Sequence, residues 1–320
     1  TPSRISIGPG TYEERVDFDT YAGGADTPIT VEGYEVTPGD GCPSGTYPVI
    51  DGSGKGGTES VNKTVNSVDL KYLRVVGDAT QNAINNTGQY SHMSHLKVLT
   101  GGGQGLINGG SYCVIFDVEC EGAANDGIYN NQAGVQIISC SVTDVGRRGI
   151  YNIGTGSVVL NCVVSPGVSR TPMTGIEVQH YARVVGGCTI YGAGGNGIKF
   201  NTVSNAALVM NNIIVGCGGY GIDGSGAGVN HALLVNNAFY DNDSGEVDTA
   251  NFPNDVVGSI TLTADPFVNA AGGDFRLNND AGGGADCQGV GWGNVGGLEN
   301  SLDVGALQKA ISAGGCSILK

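Results

Sequence analysis

The sequence predicts an all-β fold, a right-handed, single-stranded parallel β-helix (a solenoid) built from short coils of nearly constant length. Three repeats along the chain predict it: a Gly-Ile pair, an apolar phrase that contains cysteine, and a column of asparagines. A period of about 20 to 50 residues is typical of repeat proteins, whose units bury their apolar faces only against neighbouring units. The repeat therefore determines which residues of each unit face the core.

The Gly-Ile pair marks one strand of each coil. Successive copies are spaced by 22, 26, 22 and 24 positions, at Gly127-Ile128, Gly149-Ile150, Gly175-Ile176, Gly197-Ile198 and Gly221-Ile222. Between the pairs, apolar and polar residues alternate over short runs, which is strand periodicity, and Gly, Asn and Ser separate the runs as turns require. Each coil is thus expected to hold three short strands and three turns, with coils stacked about 4.8 Å apart.

A second column is expected to point into the core. Its members follow one another at intervals of 23, 22, 22, 22 and 26 positions: Leu73, Leu96, Val118, Cys140, Cys162 and Cys188. A cysteine in such a column behaves as a small buried hydrophobic residue. The irregular ends hold better disulfide candidates, Cys42, Cys287 and Cys316, although the sequence leaves their connectivity open.

The asparagine column is evenly spaced, with one member every 22 positions, through Asn86, Asn108, Asn130 and Asn152. Stacked asparagines at a turn can bond to each other and to the backbone of the coils above and below. The column is expected to end at Val178, where the coil lengthens by four residues.

The repeat also sets the expected domain organisation. Residues 1–251 are predicted to form the β-helix, with a loop insertion near residues 53–67 because that stretch is rich in Gly, Ser, Thr and Asn. After Tyr240 the repeat dissolves, so residues 252–320 are predicted to form closing coils and an irregular C-terminal cap on the last coil.

Composition excludes several classes of function. The formal net charge is −15 at pH 7, whereas nucleic-acid binding needs a basic patch, so no nucleic-acid partner is expected. The chain has no run of about 18 apolar residues, so no membrane span is expected. The chain does not begin with Met, which is consistent with a processed or partial product.

Phrases at both ends of the chain resemble a known family. Near the C-terminus, Asp265-Pro266-Phe267-Val268-Asn269 and Asp274-Phe275-Arg276-Leu277 resemble the closing segment of its members. Gly10-Thr11-Tyr12 followed by a Val/Phe strand, and the phrase Val31-Glu32-Gly33-Tyr34, resemble the opening coils of right-handed parallel β-helix proteins, the pectate-lyase-like superfamily. Within this superfamily, the second phrase, with Thr37-Pro38-Gly39-Asp40 and Val49-Ile50-Asp51-Gly52, looks like uncharacterised bacteriophage and bacterial-surface β-helix proteins. Members usually carry a helix that caps the first coil, and nothing before Thr1 supplies one. The resemblance therefore implies that the cap was cut away or that another chain, such as a second copy, covers the N-terminal coil.

The resemblance also implies chemistry that can be looked for. Polygalacturonase-like hydrolases carry Asn-x-Asp together with Asp-Asp, Gly-His-Gly and Arg-x-Lys, and the last three do not occur here; no acidic cluster with a basic residue reproduces the pectate-lyase arrangement cleanly. Fold alone does not carry function.

The best remaining site is the column after each isoleucine, which must point outward because the isoleucine points inward. Its candidates for carbohydrate binding are Tyr129, Tyr151, Glu177 and Lys199; its candidates for catalysis are Glu177, Asp223, Lys199 and Arg148. Glu177 and Asp223 lie two coils apart, about 9.6 Å by strand spacing, which is compatible with an inverting glycosidase. The alternative is an outer sheet face whose charges pair across strands and stabilise the solenoid without a ligand.

One acidic loop suggests a metal. Asp241, Asp243 and Asp248 offer the oxygen ligands that calcium prefers, although the loop lacks the full Asp-x-Asp-x-Asp-Gly spacing. Calcium is the one cofactor that the sequence suggests, and no zinc spacing occurs among its cysteines and histidines.

Three hypotheses for function follow. The first is a structural or interaction protein of a virion or cell surface, such as a bacteriophage decoration, fibre or spike component, with other surface proteins or its own copies as partners. The second is a polysaccharide-processing lyase or glycoside hydrolase. The third is a non-catalytic carbohydrate-binding module that binds a glycan on the same face. All three place the protein on a virion surface or in the extracellular space.

Overall fold

The computed structural model shows a parallel β-helix of about ten turns, which confirms the predicted fold class. It describes residues 3–19, 28–55, 59–167, 171–179, 184–201, 207–225, 232–248, 250, 252 and 256–288. Each coil contributes one strand to a ten-stranded sheet and two strands, or one long bent strand, to a nineteen-stranded sheet.

The ten-stranded sheet consists of the strands that carry the Gly-Ile pairs and their equivalents in earlier coils. In chain order they are β3 (Val16–Phe18), β6 (Glu59–Lys63), β8 (Asn82–Asn86), β10 (Leu106–Asn108), β12 (Ile128–Asn130), β15 (Arg148–Asn152), β18 (Thr174–Val178), β21 (Ile198–Phe200), β24 (Tyr220–Asp223) and β27 (Gly245–Val247). All neighbouring pairs are parallel. From β8 to β24 their register is the one that the repeat predicts.

The nineteen-stranded sheet forms the other two walls of the coil. Its strands are β1 (Ser3–Ile7), β2 (Thr11–Tyr12), β4 (Ile29–Gly33), β5 (Val49–Asp51), β7 (Val68–Val76), β9 (His92–Leu99), β11 (Val114–Glu121), β13 (Gln136–Ile138), β14 (Ser141–Thr143), β16 (Val158–Leu160), β17 (Val163–Ser165), β19 (Val184–Gly186), β20 (Thr189–Tyr191), β22 (Leu208–Met210), β23 (Ile213–Val215), β25 (Leu233–Val235), β26 (Ala238–Tyr240), β28 (Val256–Val257) and β29 (Ile260–Thr261).

A left-handed residue turns the chain between these two walls in coil after coil. The positive φ angles fall at Tyr72, His95, Asp117, Ser139, Asn161, Gly187, Asn211, Asn236 and Gly258. One residue in this conformation bends the strand sharply, so the residue after it points into the core. This following residue in each coil is the member of the inward column that runs from Leu73 to Cys188, which we call the cysteine column. The left-handed turn therefore explains the regular spacing of that column.

The core contains the predicted stack of isoleucines. Ile128, Ile150, Ile176 and Ile198 are each completely buried. The glycine before each isoleucine is required by a close approach to the opposite wall: a Cβ at Gly149 would lie 2.3 Å from Cγ1 of Val164. The Gly-Ile pair therefore repeats because both residues face a narrow interior.

The cysteine column is also buried as predicted, with Cys140, Cys162 and Cys188 at most 1 % exposed. Burial raises the pKa of the Cys162 thiol well above its usual value, so it stays protonated. Cys42 is a free, buried thiol, so the expectation of a disulfide there is wrong. Its pKa is raised to about 11, because burial and the charges of Asp40 and Glu35 oppose a thiolate. Cys316 lies outside the described residues.

The asparagine column forms a hydrogen-bonded ladder. The Nδ2 groups of Asn86, Asn108 and Asn130 each donate to Oδ1 of the next asparagine, at 2.6, 2.8 and 2.8 Å. The ladder ends opposite Val178, as predicted. It begins one coil earlier than predicted, because the ammonium of Lys63 donates to Oδ1 of Asn86 at 2.8 Å.

That lysine corrects the predicted loop at residues 53–67. Residues 59–63 form β6, which pairs with β3 and β8 in the ten-stranded sheet. Val61 and Lys63 both point inward and are at most 1 % exposed. A lysine and several small polar residues suggested a projecting loop, whereas the lysine is buried as the first member of the ladder.

The described part of the C-terminal segment lies against the flank of the solenoid. After β28 and β29 complete the last coil, β30 (Phe267–Asn269), a 3-10 turn (Ala270–Gly272), β31 (Asp274–Leu277) and α1 (Gly284–Cys287) follow. Phe267 and Phe275 pack edge-to-face on Tyr191 of β20, with ring centroids 6.4 and 5.7 Å away. They form a small second core outside the large sheet. The remainder of the predicted cap, residues 289–320, lies outside the described residues.

The N-terminal coil is paired on one side. Strands β1, β2 and β3 pair with β4, β5 and β6, and among the described residues no strand lies on their other side. Ile5 is 48 % exposed, and Ile7, Val16 and Phe18 are half-buried against the core.

In the described ranges no helix has the length and hydrophobicity needed to cross a membrane.

Candidate functional site

The outward column of the ten-stranded sheet is assembled as predicted. Tyr129 pairs in register with Tyr151, Tyr151 with Glu177, Glu177 with Lys199, and Lys199 with Asp223. The five side chains therefore form one continuous row over five coils. Arg148 lies beside this row at the start of β15, directly opposite Thr174.

An ion network runs across three consecutive coils of this face. Arg148 donates from Nε to Oδ1 of Asp126 at 2.7 Å and from Nη1 to Oε1 of Glu177 at 3.3 Å. All three residues are buried, with exposures of 5 %, 1 % and 7 %. Buried charges of this kind are stable only when they are paired and hydrogen-bonded. The arginine thus connects the coil below it to the coil above it.

The pKa values follow from this arrangement. Burial disfavours the charged guanidinium of Arg148, but its hydrogen bond to Asp126 and the charges of Asp126 and Glu177 outweigh that effect and raise its pKa. Desolvation raises the pKa of Asp126, although the bond from Arg148 opposes the shift. Arg148 therefore remains a cation at any physiological pH. It is a charge partner, and it cannot act as a general base.

The tyrosine pair is covered more completely than the sequence indicates. The rings of Tyr129 and Tyr151 stack with centroids 5.2 Å apart and planes 18° from parallel. The guanidinium carbon of Arg148 lies 3.3 Å from the centroid of Tyr151. Rings at this separation leave no room for a guanidinium between them, so Arg148 covers the other face of Tyr151. Tyr129 and Arg148 thus cover the two faces of the Tyr151 ring. Carbohydrate binding by Tyr129 and Tyr151 stays a prediction.

The two candidate carboxylates are already hydrogen-bonded. Oε1 of Glu177 accepts from Nδ2 of Asn201 at 2.9 Å and from Nε2 of Gln179 at 3.3 Å, in addition to Arg148. Asp223 accepts from Nδ2 of Asn196 at 2.7 Å and from Ser225. Lys199 lies between the two carboxylates in the column, and in the portion of the chain that is described it makes no ion pair within 4.0 Å.

The aspartates of the acidic loop do not converge on one point. Asp241 and Asp243 are exposed on a turn, whereas Asp248 is 8 % exposed at the end of β27 and its Oδ1 accepts from the backbone of Ala250. No group of three His, Cys, Asp or Glu side chains among the described residues could hold a metal ion. The three aspartates that suggested calcium are close in sequence but are not brought together by the fold.

Two aromatic clusters were missed by the sequence analysis. At the corner of the large sheet, Tyr72 stacks on His95 with centroids 4.8 Å apart, and Nδ1 of His95 lies 2.7 Å from Oδ2 of Asp117. At the turn after the ten-stranded sheet, Tyr90 stacks on Tyr112 with centroids 5.4 Å apart. In each cluster the stacked residues are 22 or 23 positions apart, which is the length of one coil. This spacing was the only feature of the sequence that could have indicated either cluster.

Comparisons with known proteins identify the fold. No family model matches the chain, and no curated protein matches its sequence. The structure is similar to that of a pectate lyase, Pel9A, with a TM-score of 0.68 and 15 % identity over 95 % of this chain and 87 % of that one. It is also similar to an alginate lyase from Paenibacillus sp. str. FPU-7, with a TM-score of 0.53 and 17 % identity over 77 % and 91 % of the chains.

The chain has the fold of the pectate-lyase-like parallel β-helices. The resemblance noted in the sequence is confirmed at this level. At 15 % and 17 % identity these likenesses show the fold alone. A protein of Geobacillus virus E2 matches with a TM-score of only 0.33, which carries no argument, so the resemblance to phage proteins stays a prediction.

Proposed function

We propose that this chain is a structural and interaction protein of a virion or cell surface, such as a decoration, fibre or spike component of a bacteriophage. The observation that carries the proposal is the ion network of Arg148. Its guanidinium donates hydrogen bonds to Asp126 and Glu177 and packs on the ring of Tyr151. These charged side chains of the predicted site therefore connect three stacked coils. The phrases at both ends of the sequence support the location.

A long solenoid suits this role because its surface is large and its backbone is rigid. Each coil contacts only its neighbours, so side chains on the outer faces can vary without disturbing the core. Formal net charge of −15 keeps such a particle soluble. The role needs no catalytic group, which agrees with hydrogen-bonded carboxylates at Glu177 and Asp223.

The N-terminal coil is the proposed contact between copies of this chain. Its strands are paired on one side only, and Ile5 offers an exposed apolar side chain at the centre of that edge. Exposed strand edges pair readily with further strands. Size-exclusion chromatography with light scattering should show a concentration-dependent oligomer for residues 1–320. An Ile5→Lys variant should shift it toward the monomer, and a wild-type protein that stays monomeric at high concentration would contradict the contact.

A second candidate is a polysaccharide lyase, because Lys199 lies between Glu177 and Asp223 without an ion-pair partner among the described residues. A lysine that keeps its charge free can bind the carboxylate of a uronate. The names of the two similar structures, a pectate lyase and an alginate lyase, support testing polyuronates first.

One experiment separates the two functions. Purified protein is incubated with polygalacturonate, alginate and neutral polysaccharides, and unsaturated products and new reducing ends are measured over time. The structural proposal expects no turnover above that of a Lys199→Ala, Glu177→Gln double variant. Turnover that the double variant loses would establish the enzyme and overturn the structural proposal. Cryo-electron microscopy of the particle that carries the chain then tests its place in an assembly.

A further inference from the structure

Tyr90 and Tyr112 form a pair of stacked rings on the outside of the solenoid, at the same turn of two successive coils. The backbone N–H of Tyr90 donates to Ser111 O, and that of Tyr112 donates to Ala133 O. Their planes are 9° from parallel. Although each ring covers the other, the side chains remain 51 % and 57 % exposed. We call this pair the tyrosine ridge.

The backbone of the tyrosine ridge is strained. Both residues lie in the left-handed region, with φ angles of 53° and 58°. The same turn is occupied by Ser67 in the coil before, and by Gly134 and Gly156 in the two coils after, all with positive φ. A bulky residue in this conformation costs about 1 kcal/mol or more, which glycine avoids. Other residues occupy this turn in neighbouring coils, so the turn itself does not require tyrosine. A role for the exposed rings would explain why tyrosine is found at two strained positions.

The rings contribute little to the core. Neither tyrosine belongs to a buried apolar cluster, and each touches solvent over half of its side chain. The ridge ends abruptly, because Tyr112 lies over Gly134: a Cβ at that glycine would be 2.7 Å from Cδ1 of the ring. A small residue at this position leaves the end of the ridge clear of side chains.

The surroundings of the tyrosine ridge are polar and carry few charges; on the coil before it, Asp69 accepts a hydrogen bond from the backbone of His92. Exposed hydroxyl and amide groups stand beside it on the same coil and on the two coils that follow, at Thr87, Gln89, Asn131 and Thr155. The segments 79–91, 100–116 and 127–143, which belong to the two coils of the ridge and the coil after it, contain no Asp, Glu, Lys or Arg. This is unusual for a chain with a net charge of −15, and it excludes a site built for a carboxylate or a phosphate.

Exposed aromatic rings bordered by neutral hydrogen-bonding groups match one class of ligand. The C–H face of a pyranose packs on an aromatic ring, while its hydroxyl groups bond to amides and hydroxyls at the rim. We propose that the tyrosine ridge binds a neutral pyranose of a glycan chain. This site is distinct from the column of Tyr129 and Tyr151, and it extends the proposed surface role by naming a ligand class.

The test uses substitutions that the backbone prefers. Replacing Tyr90 and Tyr112 by glycine removes the rings and relieves the left-handed strain, so the double variant should fold at least as well as the wild type. Both proteins are applied to an array of neutral and uronate-containing oligosaccharides, and the best neutral ligand is then titrated by calorimetry. Leu233→Ala is the matched control, because it removes an exposed apolar side chain (43 % exposed) elsewhere on the surface.

We expect wild type and Leu233→Ala to bind a neutral glycan equally, and the double glycine variant to bind about tenfold weaker or not at all. The proposal is overturned if no neutral glycan binds, if only uronate glycans bind, or if the double variant binds as the wild type does. These outcomes are independent of the turnover assay, so an active lyase would refute the structural role without deciding this site.

Discussion

The Nδ2 group of Asn152 faces the position of Val178 in the next coil and finds no acceptor there. Every other asparagine of the ladder donates through Nδ2 to the one that follows it. The last donor is therefore buried and unsatisfied among the described residues. Such a group costs free energy comparable to a lost hydrogen bond.

A threonine at Val178 should supply the missing acceptor. Burying a hydroxyl in place of a methyl group normally costs about 2 kcal/mol, but at this position Oγ1 can accept from Asn152. We expect the free energy of unfolding of Val178→Thr, measured in denaturant, to lie within about 1 kcal/mol of that of the wild type. The matched control is Val164→Thr, at another fully buried inward valine. Equal losses in the two variants would show that the ladder does not end in an open donor.

The ammonium of Lys63 predicts a pH dependence of stability. Desolvation lowers its pKa to about 8 in the folded protein, from 10.5. Below about pH 8 the lysine is charged in both states, and the folded state bears the full cost of burying the charge. As pH rises from about 8 to about 10.5, the folded state loses the proton first, so the free energy of unfolding rises.

This dependence is measured as a difference. Between about pH 7.5 and 9.5 the wild type should gain about 2 kcal/mol relative to Lys63→Met, which lacks the titrating group. Lys97→Met, at a lysine whose side chain is 38 % exposed, should track the wild type across the same range. A constant difference between wild type and Lys63→Met would mean that the lysine is not desolvated.

Removing Arg148 should destabilise the protein strongly. Arg148→Ala leaves Asp126 and Glu177 buried without their partner, and breaking a buried pair in this way costs about 4 kcal/mol. Arg276→Ala is the control, because Arg276 makes an exposed pair with Asp274 at 2.6 Å and its loss should change the free energy of unfolding far less. Chemical denaturation measures both. Similar small effects would show that the network on the outer face is dispensable for folding.

The inward stack of isoleucines can be tested by one charge. Ile150→Asp would bury an unpaired carboxylate at a position with 0 % exposure and should prevent folding or cost about 4 kcal/mol or more. Ile107→Asp places the same charge on the outward face of β10 and should be tolerated. Thermal unfolding of the two variants decides, and near-normal stability of Ile150→Asp would refute the register.

The buried thiols should be unreactive in the folded protein. The pKa of Cys120 and that of Cys217 are raised to about 12 because both thiols are desolvated. At neutral pH neither thiol forms the reactive thiolate, and neither is accessible. A thiol reagent should label the inward cysteines, including Cys140, Cys162 and Cys188, only after denaturation. Mass spectrometry would locate any label, and rapid native labelling of all three would contradict their placement.

The sequence was sufficient to predict the features that repeat. Ile150 and Asn130 could be assigned to the core and to the ladder because equivalent residues recur in the coils on either side, and stacking leaves one register that buries them all. The outward positions of Tyr151 and Glu177 followed from strand alternation. These predictions depend only on period and polarity.

Features that depend on a single coil could not be predicted. Arg148 covers Tyr151 through its side-chain conformation, which spacing does not encode. Lys63 was assigned to a loop because its segment is rich in Gly, Ser, Thr and Asn. Its burial depends on three acceptors that come together only after folding: Val65 O, Asn86 Oδ1 and Ser91 Oγ. The left-handed turns at Tyr90 and Tyr112 leave no trace in hydrophobic periodicity.

The hydrogen bonding of the asparagine ladder does not depend on how many coils the solenoid has. Because each amide accepts from the coil before it and donates to the coil after it, every interior coil presents the same pair of groups to its neighbours. A tandem duplication of one interior repeat unit would therefore leave no amide of the ladder unmatched. Only Lys63 and Val178, at the two ends of the series, differ. The hydrogen bonding of the ladder is thus compatible with a longer or a shorter series of coils.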